Sequence, residues 1–350
     1  MAKIDELLSK MLEAQGTTMH IGCNRPPMYR KNEMLSEFGE GELSRETVSQ
    51  MLKEICPRER WDKFMESNDM DFIYTMDSSA RFRCNYYFDR SGMGGVFHSI
   101  PAQVPSLDDI EAPQVYKDIC HLPGGFILTC GPLGSGTTTT QAAMLQYINE
   151  NTSRYIISIS TLIEYTHQPN RSVIEQCEVE KSKVADTLAA ALNSNPDVIV
   201  IDDLPDARSV RLALRAAMMG ILVIASLPTS NFAKTLDYIS DMFPAKDRAE
   251  AKTLLAESVQ AILSQMLCHS VEGGRVICRE VLLRAEGVPT AIRENNIAAL
   301  CQIMDSYRQQ GMRTLDFSLR ELLATGKIAA SEAYARATDK RQFQHFLVGY

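Results

Sequence analysis

Apolar and polar positions along the chain follow two different rhythms, and the change comes near residue 115. Residues 4–13 have the spacing of an amphipathic helix and lead into the apolar patch Met19–Ile21. A second helix is predicted over 44–53, entered from a Ser-x-x-Thr turn at Ser44. Strands follow at 71–74 and 80–88. In the second, Phe82, Cys84, Tyr86 and Phe88 alternate with Arg81, Arg83, Asn85 and Tyr87, the mark of a half-buried strand with a polar outer face. Residues 92–95 read as a glycine turn, and the proline-rich 100–113 as a stiff linker. Beyond it, short apolar runs at 126–130, 155–159, 198–201 and 221–225 alternate with helical patterns at 138–149, 184–192 and 207–219. That rhythm predicts a mostly parallel sheet covered by helices. After residue 246 the pattern is largely helical: 247–266, 298–309, 318–324 and 331–337. The expected class is α/β, divided as 1–100, a linker 101–114, a sheet domain 115–285 and a helical region 286–350.

Composition narrows the classes. Of 350 residues, 45% are hydrophobic and 23% charged, which excludes disordered, collagen-like and coiled-coil chains. No apolar run approaches the roughly 18 residues of a membrane span, and the mixed-charge N-terminus has no signal-peptide core, so no direct membrane insertion is expected. A net charge of −8 argues against nucleic acid as the main partner. The nine cysteines are odd in number and lack CxxC pairs, as in reduced cytoplasmic proteins. Cys120-His121 and Cys268-His269 lack zinc-site spacing.

One stretch carries chemistry. Gly131-Pro132-Leu133-Gly134-Ser135-Gly136-Thr137-Thr138 joins an apolar strand to a helix with the spacing G-x-x-x-x-G-K-[ST] of a phosphate loop. Its glycines let backbone N–H groups turn inward from Gly134 to Thr139, and the helix N-terminus adds donors for phosphate. The Thr138 hydroxyl stands where a Mg²⁺ ligand belongs. The lysine is absent, and Thr137 occupies its place. About sixty residues on, Asn195-Pro-Asp-Val-Ile-Val-Ile-Asp202-Asp203 runs four apolar residues into two acids, the form of a Walker B strand. A structural turn and a solvated acidic strand end are the plainer alternatives.

These segments belong to a longer collinear set: Asp69-Met-Asp-Phe72, Ala80-Arg-Phe-Arg83, Gly94-Gly-Val-Phe97, Tyr147-Ile-Asn-Glu-Asn151, Arg211-Leu-Ala-Leu214, Ala233-Lys-Thr-Leu236 and Gly311-Met-x-Thr-Leu-Asp316. With them the chain resembles, over essentially its whole length, the pilus retraction ATPases of type IV pilus systems (the PilT/PilU branch of the secretion ATPases). The resemblance implies a PAS-like N-terminal domain, a RecA-like P-loop ATPase domain and helical C-terminal additions. It further implies a hexameric ring, homo-oligomeric or mixed with an active retraction ATPase, that hydrolyses ATP at subunit interfaces and acts on a pilus inner-membrane platform protein. That would make it cytoplasmic and peripheral at the inner membrane. Arg81, Arg83 and Arg90 would lie on nucleotide-facing strands of the N-terminal domain, with a solvated strand face as the plainer alternative.

The departures from the family cluster on chemistry. Besides Thr137, the family's I-E-D-P-I-E-F-x-H box is Ile159-Ser160-Thr161-Leu162-Ile163-Glu164-Tyr165-Thr166-His167, leaving only Glu164 of its carboxylates. Asp203 stands for the Walker B glutamate, Cys177 for an arginine, Ile221 and Pro228 for two histidines, and Pro289 for another arginine. Glu164 and Asp203 are the catalytic remnants. The expectation is weak binding of ATP or ADP with Mg²⁺ and little or no hydrolysis. Three functions stay open at this point: an accessory pseudo-ATPase of the pilus machine, an atypical working motor, and an interaction protein that keeps only the fold.

Overall fold

The computed structural model describes residues 2–31, 34–39, 41–76, 80–101 and 103–347. Ala102, in the expected linker, lies outside them. The chain forms two compact units, Met1–Gln103 and Val104–Tyr350. The first contains α1 (Lys3–Glu13), β1 (Thr18–Gly22), β2 (Met28–Lys31), β3 (Met34–Glu37), α2 (Arg45–Ile55), α3 (Arg58–Ser67), β4 (Asp69–Thr75), β5 (Arg81–Asp89) and β6 (Gly92–Ile100). Its six strands make one antiparallel sheet in the order β3-β2-β1-β6-β5-β4. The alternation in β5 sends Phe82, Cys84 and Tyr86 into a core shared with Leu7 and Leu8 of α1 and Val48 and Leu52 of α2. Ser44 caps α2 by accepting from the Thr47 amide.

Two details of this unit differ from expectation. Phe88 drops out of the buried alternation and is exposed, stacked on Phe64 at 5.0 Å. The glycine stretch 92–95 is not a turn but the start of β6. A Cβ on Gly94 would lie 2.5 Å from the Tyr87 ring and one on Gly95 2.9 Å from Leu52, so glycine lets large neighbours cross the strand.

The second unit contains α4 (Gln114–Cys120), β7 (Gly125–Cys130), α5 (Thr137–Asn151), β8 (Tyr155–Ser160), β9 (Val173–Glu178), α6 (Val184–Leu192), β10 (Val198–Ile201), α7 (Ala207–Met218), β11 (Leu222–Leu227), α8 (Phe232–Met242), α9 (Arg248–Ser258), β12 (Val259–His269), β13 (Arg275–Leu283), α10 (Val288–Arg293), α11 (Ile297–Ser306), α12 (Leu315–Ala324) and α13 (Ala330–Arg336). The sheet order is β13-β12-β7-β11-β10-β8-β9, parallel throughout except for the edge strand β13. Successive strand residues feed opposite faces. Phe126 and Leu128 join one core with α6 to α10, while Ile127 joins another with α4 and α5. Burial on both faces is why these strands are almost wholly apolar.

One expectation fails outright. The helix over 247–266 stops at Ser258, and β12 continues from Val259, paired with β7. The run Val259-Gln-Ala-Ile-Leu-Ser-Gln-Met266 is buried on both faces, so it lacks the alternation that separates a strand from a buried helix.

Gly220 (φ +97°) ends α7 and turns the chain into β11, and Gly124 packs on its carbonyl. A Cβ on Gly124 would sit 2.3 Å from the Gly220 oxygen, backbone against backbone. Gly124→Ala is therefore expected to cost roughly 1–3 kcal/mol, read as a lowered urea midpoint with an unchanged slope. An unchanged midpoint would mean that this approach relaxes freely.

Candidate nucleotide site

The loop after β7 is positioned by its strand and by two left-handed glycines. Gly134 (φ +77°) and Gly136 (φ +84°) bend the chain back, and Gly136 is the N-cap of α5. A Cβ at Gly134 would meet nothing, so its backbone angle and not lack of space calls for glycine. The first-turn amides of α5 have no carbonyl in the helix to bond and form the donor cluster that phosphate loops use. Ser135 is buried, Thr137 and Thr139 are half-buried, and Thr138 is exposed.

Gln265 of β12 clamps this loop. Its Nε2 donates to the Ser135 carbonyl at 2.9 Å, and its Oε1 accepts from Thr140 Oγ1 at 2.8 Å. Sequence reasoning missed it by placing residue 265 in a helix, although a glutamine inside so apolar a run was a usable signal. Gln141 Nε2 ties α5 to β10 through the Ile201 carbonyl.

β10 ends on the same sheet edge, two strands from β7 with β11 between them. Of the two acids that follow it, Asp203 is paired, while Asp202 is bound through one oxygen and its Oδ1 is buried without a partner. Asp202 Oδ2 accepts from the Thr161 amide at 2.8 Å and from Thr161 Oγ1 at 3.1 Å. Burial pushes the Asp202 carboxyl up to about 6 against those hydrogen bonds. Asp203 Oδ2 lies 2.8 Å from Lys181 Nζ, and that hydrogen bond holds the Lys181 ammonium above its ordinary pKa.

Glu164 is half-buried on the loop after β8. Its neighbour Tyr165 shares a hydrogen bond with Thr139 Oγ1 at 3.1 Å, which ties that loop to the start of α5. His167, farther along, is buried and its pKa falls to about 4, with burial the cause. Its Nδ1 lies 2.9 Å from Gln146 Oε1. Ile221 precedes β11 and Pro228 follows it, so the two replaced histidine positions stand at opposite sheet edges, ~20 Å apart. Only Pro228 is on the phosphate-loop edge.

Arg81, Arg83 and Arg90 belong to the first unit. Arg81 and Arg83 lie on the outer face of β5, Arg83 pairing with Asp71 at 3.3 Å, and Arg90 is exposed in the turn before β6. No helix among the described residues is long and apolar enough to cross a membrane.

Comparison with known proteins places this geometry. Residues 108–313 match the family of type II/IV secretion system proteins. The chain is 32% identical to the type IV pilus retraction ATPase PilT of Pseudomonas aeruginosa, across 97% of its own length and 99% of the relative's. It is 36% identical to a twitching motility protein of Neisseria gonorrhoeae, across 89% and 84%. A crystal structure of the pilus retraction motor PilT with bound ADP superposes with a TM-score of 0.85 at 31% identity, covering 98% of this chain and 99% of that one. With a sheet unit that carries the phosphate loop and a separate N-terminal unit, the chain belongs to the type II/IV secretion system family, in its branch of PilT/PilU-type pilus retraction ATPases.

Proposed function

We propose that the chain is a ring subunit of a type IV pilus machine that binds ATP or ADP weakly, hydrolyses little or none, and serves as an accessory or regulatory subunit. The observation that carries this reading is Thr137 in a phosphate loop otherwise well formed. Gly134, Ser135, Gly136, Thr137, Thr138 and Thr139 supply backbone and hydroxyl donors to phosphate, but no charge. Thr138 keeps the hydroxyl that a Mg²⁺ ion would take. Asp203 is one methylene shorter than glutamate and is neutralised by Lys181, so it is poorly placed to orient water. Glu164 and Asp203 are then remnants of a catalytic set, while Arg81, Arg83 and Arg90 remain donors for a nucleotide on the N-terminal unit.

The partner surfaces are those of a PilT-like ring, either six copies or a mixed ring with an active retraction ATPase, peripheral at the inner membrane through the pilus platform protein. Support comes from what most of the substitutions spare: Thr137, Ser160, Thr161, Asp203 and Pro228 fall at the phosphate-loop end of the sheet, while each unit retains a buried core. Mass photometry at micromolar concentration is expected to show particles of six times the 39.1 kDa chain, alone or on mixing with the active paralogue. Monomer in both samples would defeat the ring reading.

A further inference from the structure

Three hydrogen-bond donors are buried without a partner around one face of β13: the Tyr116 hydroxyl, Arg279 Nε and Arg313 Nε. Strand pairing brings them together. Arg313 and Val281 exchange both backbone hydrogen bonds, at 2.8 and 3.0 Å, so their side chains share a face. Arg279, two residues earlier on β13, lies on that same face as the diagonal neighbour of Arg313. Val281 packs in one apolar cluster with Tyr116 of α4. The Arg279 guanidinium carbon stands 5.9 Å from the centre of the Tyr116 ring.

The charge at this place is not balanced. Arg279 is 7% exposed, and its Nη1 and Nη2 donate to the Glu111 carbonyl at 3.0 Å and to the Ile110 carbonyl. Those carbonyls satisfy N–H groups but supply no negative charge. Among the described residues no carboxylate is hydrogen-bonded or ion-paired to Arg279. That of Glu111 is 76% exposed and lies 3.7 Å from Lys327 Nζ, and that of Glu321 lies 3.2 Å from Arg313 Nη1. Two guanidiniums therefore share one carboxylate, and a buried cation left without a counter-ion is costly. Tyr116 is fully buried, and burial pushes its hydroxyl up to about 12 even with both guanidiniums drawing it down. It keeps its proton and donates. A water set among three donors would still have its own two hydrogens to place, whereas an anion only accepts. One unmatched positive charge calls for a single negative one, and groups as enclosed as Tyr116 and Arg279 call for a small ion.

We propose that Tyr116, Arg279 and Arg313 form a buried site for a monovalent halide, with chloride as its occupant, tying α4 to the edge strand β13 and to the segment that enters α12.

The test melts the full chain and Tyr116→Phe in sodium chloride, sodium bromide and sodium gluconate at equal ionic strength. Crystals of the parent grown in bromide are read at the bromine absorption edge. In gluconate the two midpoints should coincide, because phenylalanine keeps the ring and discards only an unpaired hydroxyl. In halide the parent midpoint should rise by about 3 °C for each tenfold increase once the site begins to fill. Tyr116→Phe, with one donor fewer, should need about tenfold more halide for the same rise. Comparing the two proteins within each salt removes the general effect of that salt on burial. An anomalous peak is expected between Tyr116 Oη and the two Nε atoms. A gap between parent and variant that is the same in halide and in gluconate overturns the proposal. So does density at that point without anomalous signal, which is water, or a bromide peak without a halide-dependent gap, which is an adventitious ion only.

Discussion

Purified chain mixed with ATP and Mg²⁺ is expected to release phosphate no faster than a protein-free control, and Thr137→Lys is expected to restore affinity without restoring turnover. Phosphoryl transfer is driven almost entirely by positioning and by charge around the γ-phosphate. Thr137 removes one positive charge from that environment, and loss of a single transition-state donor ordinarily costs about 10²–10³ in rate. Asp203 is short and paired with Lys181 at 2.8 Å, and one oxygen of Asp202 is bound to Thr161. These losses act on one assembly and so do not multiply. Returning lysine at 137 adds a charge-assisted contact to the phosphates, worth about tenfold or more in ADP affinity. Water activation would still lack the carboxylates replaced by Ser160 and Thr161. Family-like turnover from that single change would show the remaining substitutions to be harmless. A Mg²⁺-dependent rate in the parent that vanishes on Asp203→Ala would establish a working motor.

The sheet of the second unit was readable because its central strands are buried on both faces and end in turn residues. β10 was located to the residue, and the glycines of the phosphate loop marked the strand–helix junction. The same double burial hid β12: apolar residues on both faces look alike in a strand and in a core helix. β13 was lost with it, since its only paired neighbour in the sheet is β12. α8 carries a legible signal, Asn231 before Phe232, Leu236 and Ile239 at helical spacing.

Within the site, residue types in the loop could be read locally, but their engagements could not. Thr161 and Asp202 are 41 positions apart, Lys181 and Asp203 are 22 apart, and Gln265 is 130 from the loop carbonyl it clamps. Those pairings follow from strand order, which places the ends of β7, β8, β10 and β11 along one edge. Losing the lysine was visible in sequence; that the Walker B acid had gained one was visible only in the fold.

The same strand order buries two titrating groups whose effects on stability oppose each other, and replacing either should expose the other. Glu280 of β13 is fully enclosed and accepts from the Phe232 amide at 2.7 Å and the Leu315 amide at 3.3 Å, so one carboxyl serves the first turns of both α8 and α12. Burial outweighs those donors and pushes its pKa up from 4.5 to about 7. A carboxyl raised on folding contributes stability that is complete below its ordinary pKa and is lost as pH rises through the folded value. Glu280 should therefore withdraw about 3 kcal/mol between pH 4.5 and 7. His167 runs the other way. Its pKa is lowered from 6.5 to about 4, so its contribution is present above 6.5 and falls by about 3 kcal/mol as pH drops through 4. Asp202, raised to about 6, acts in the sense of Glu280, so in the parent protein the three partly offset. Glu280→Gln should cost about 1–3 kcal/mol at acid pH, where both side chains are uncharged, because the amide accepts through one oxygen only. The gap between parent and variant should then shrink by about 3 kcal/mol from acid to neutral pH. For His167→Gln the gap should widen toward neutral pH by a similar amount. Urea midpoints across that range decide the matter, and two gaps that stay constant would mean that neither group carries its proton differently in the folded chain.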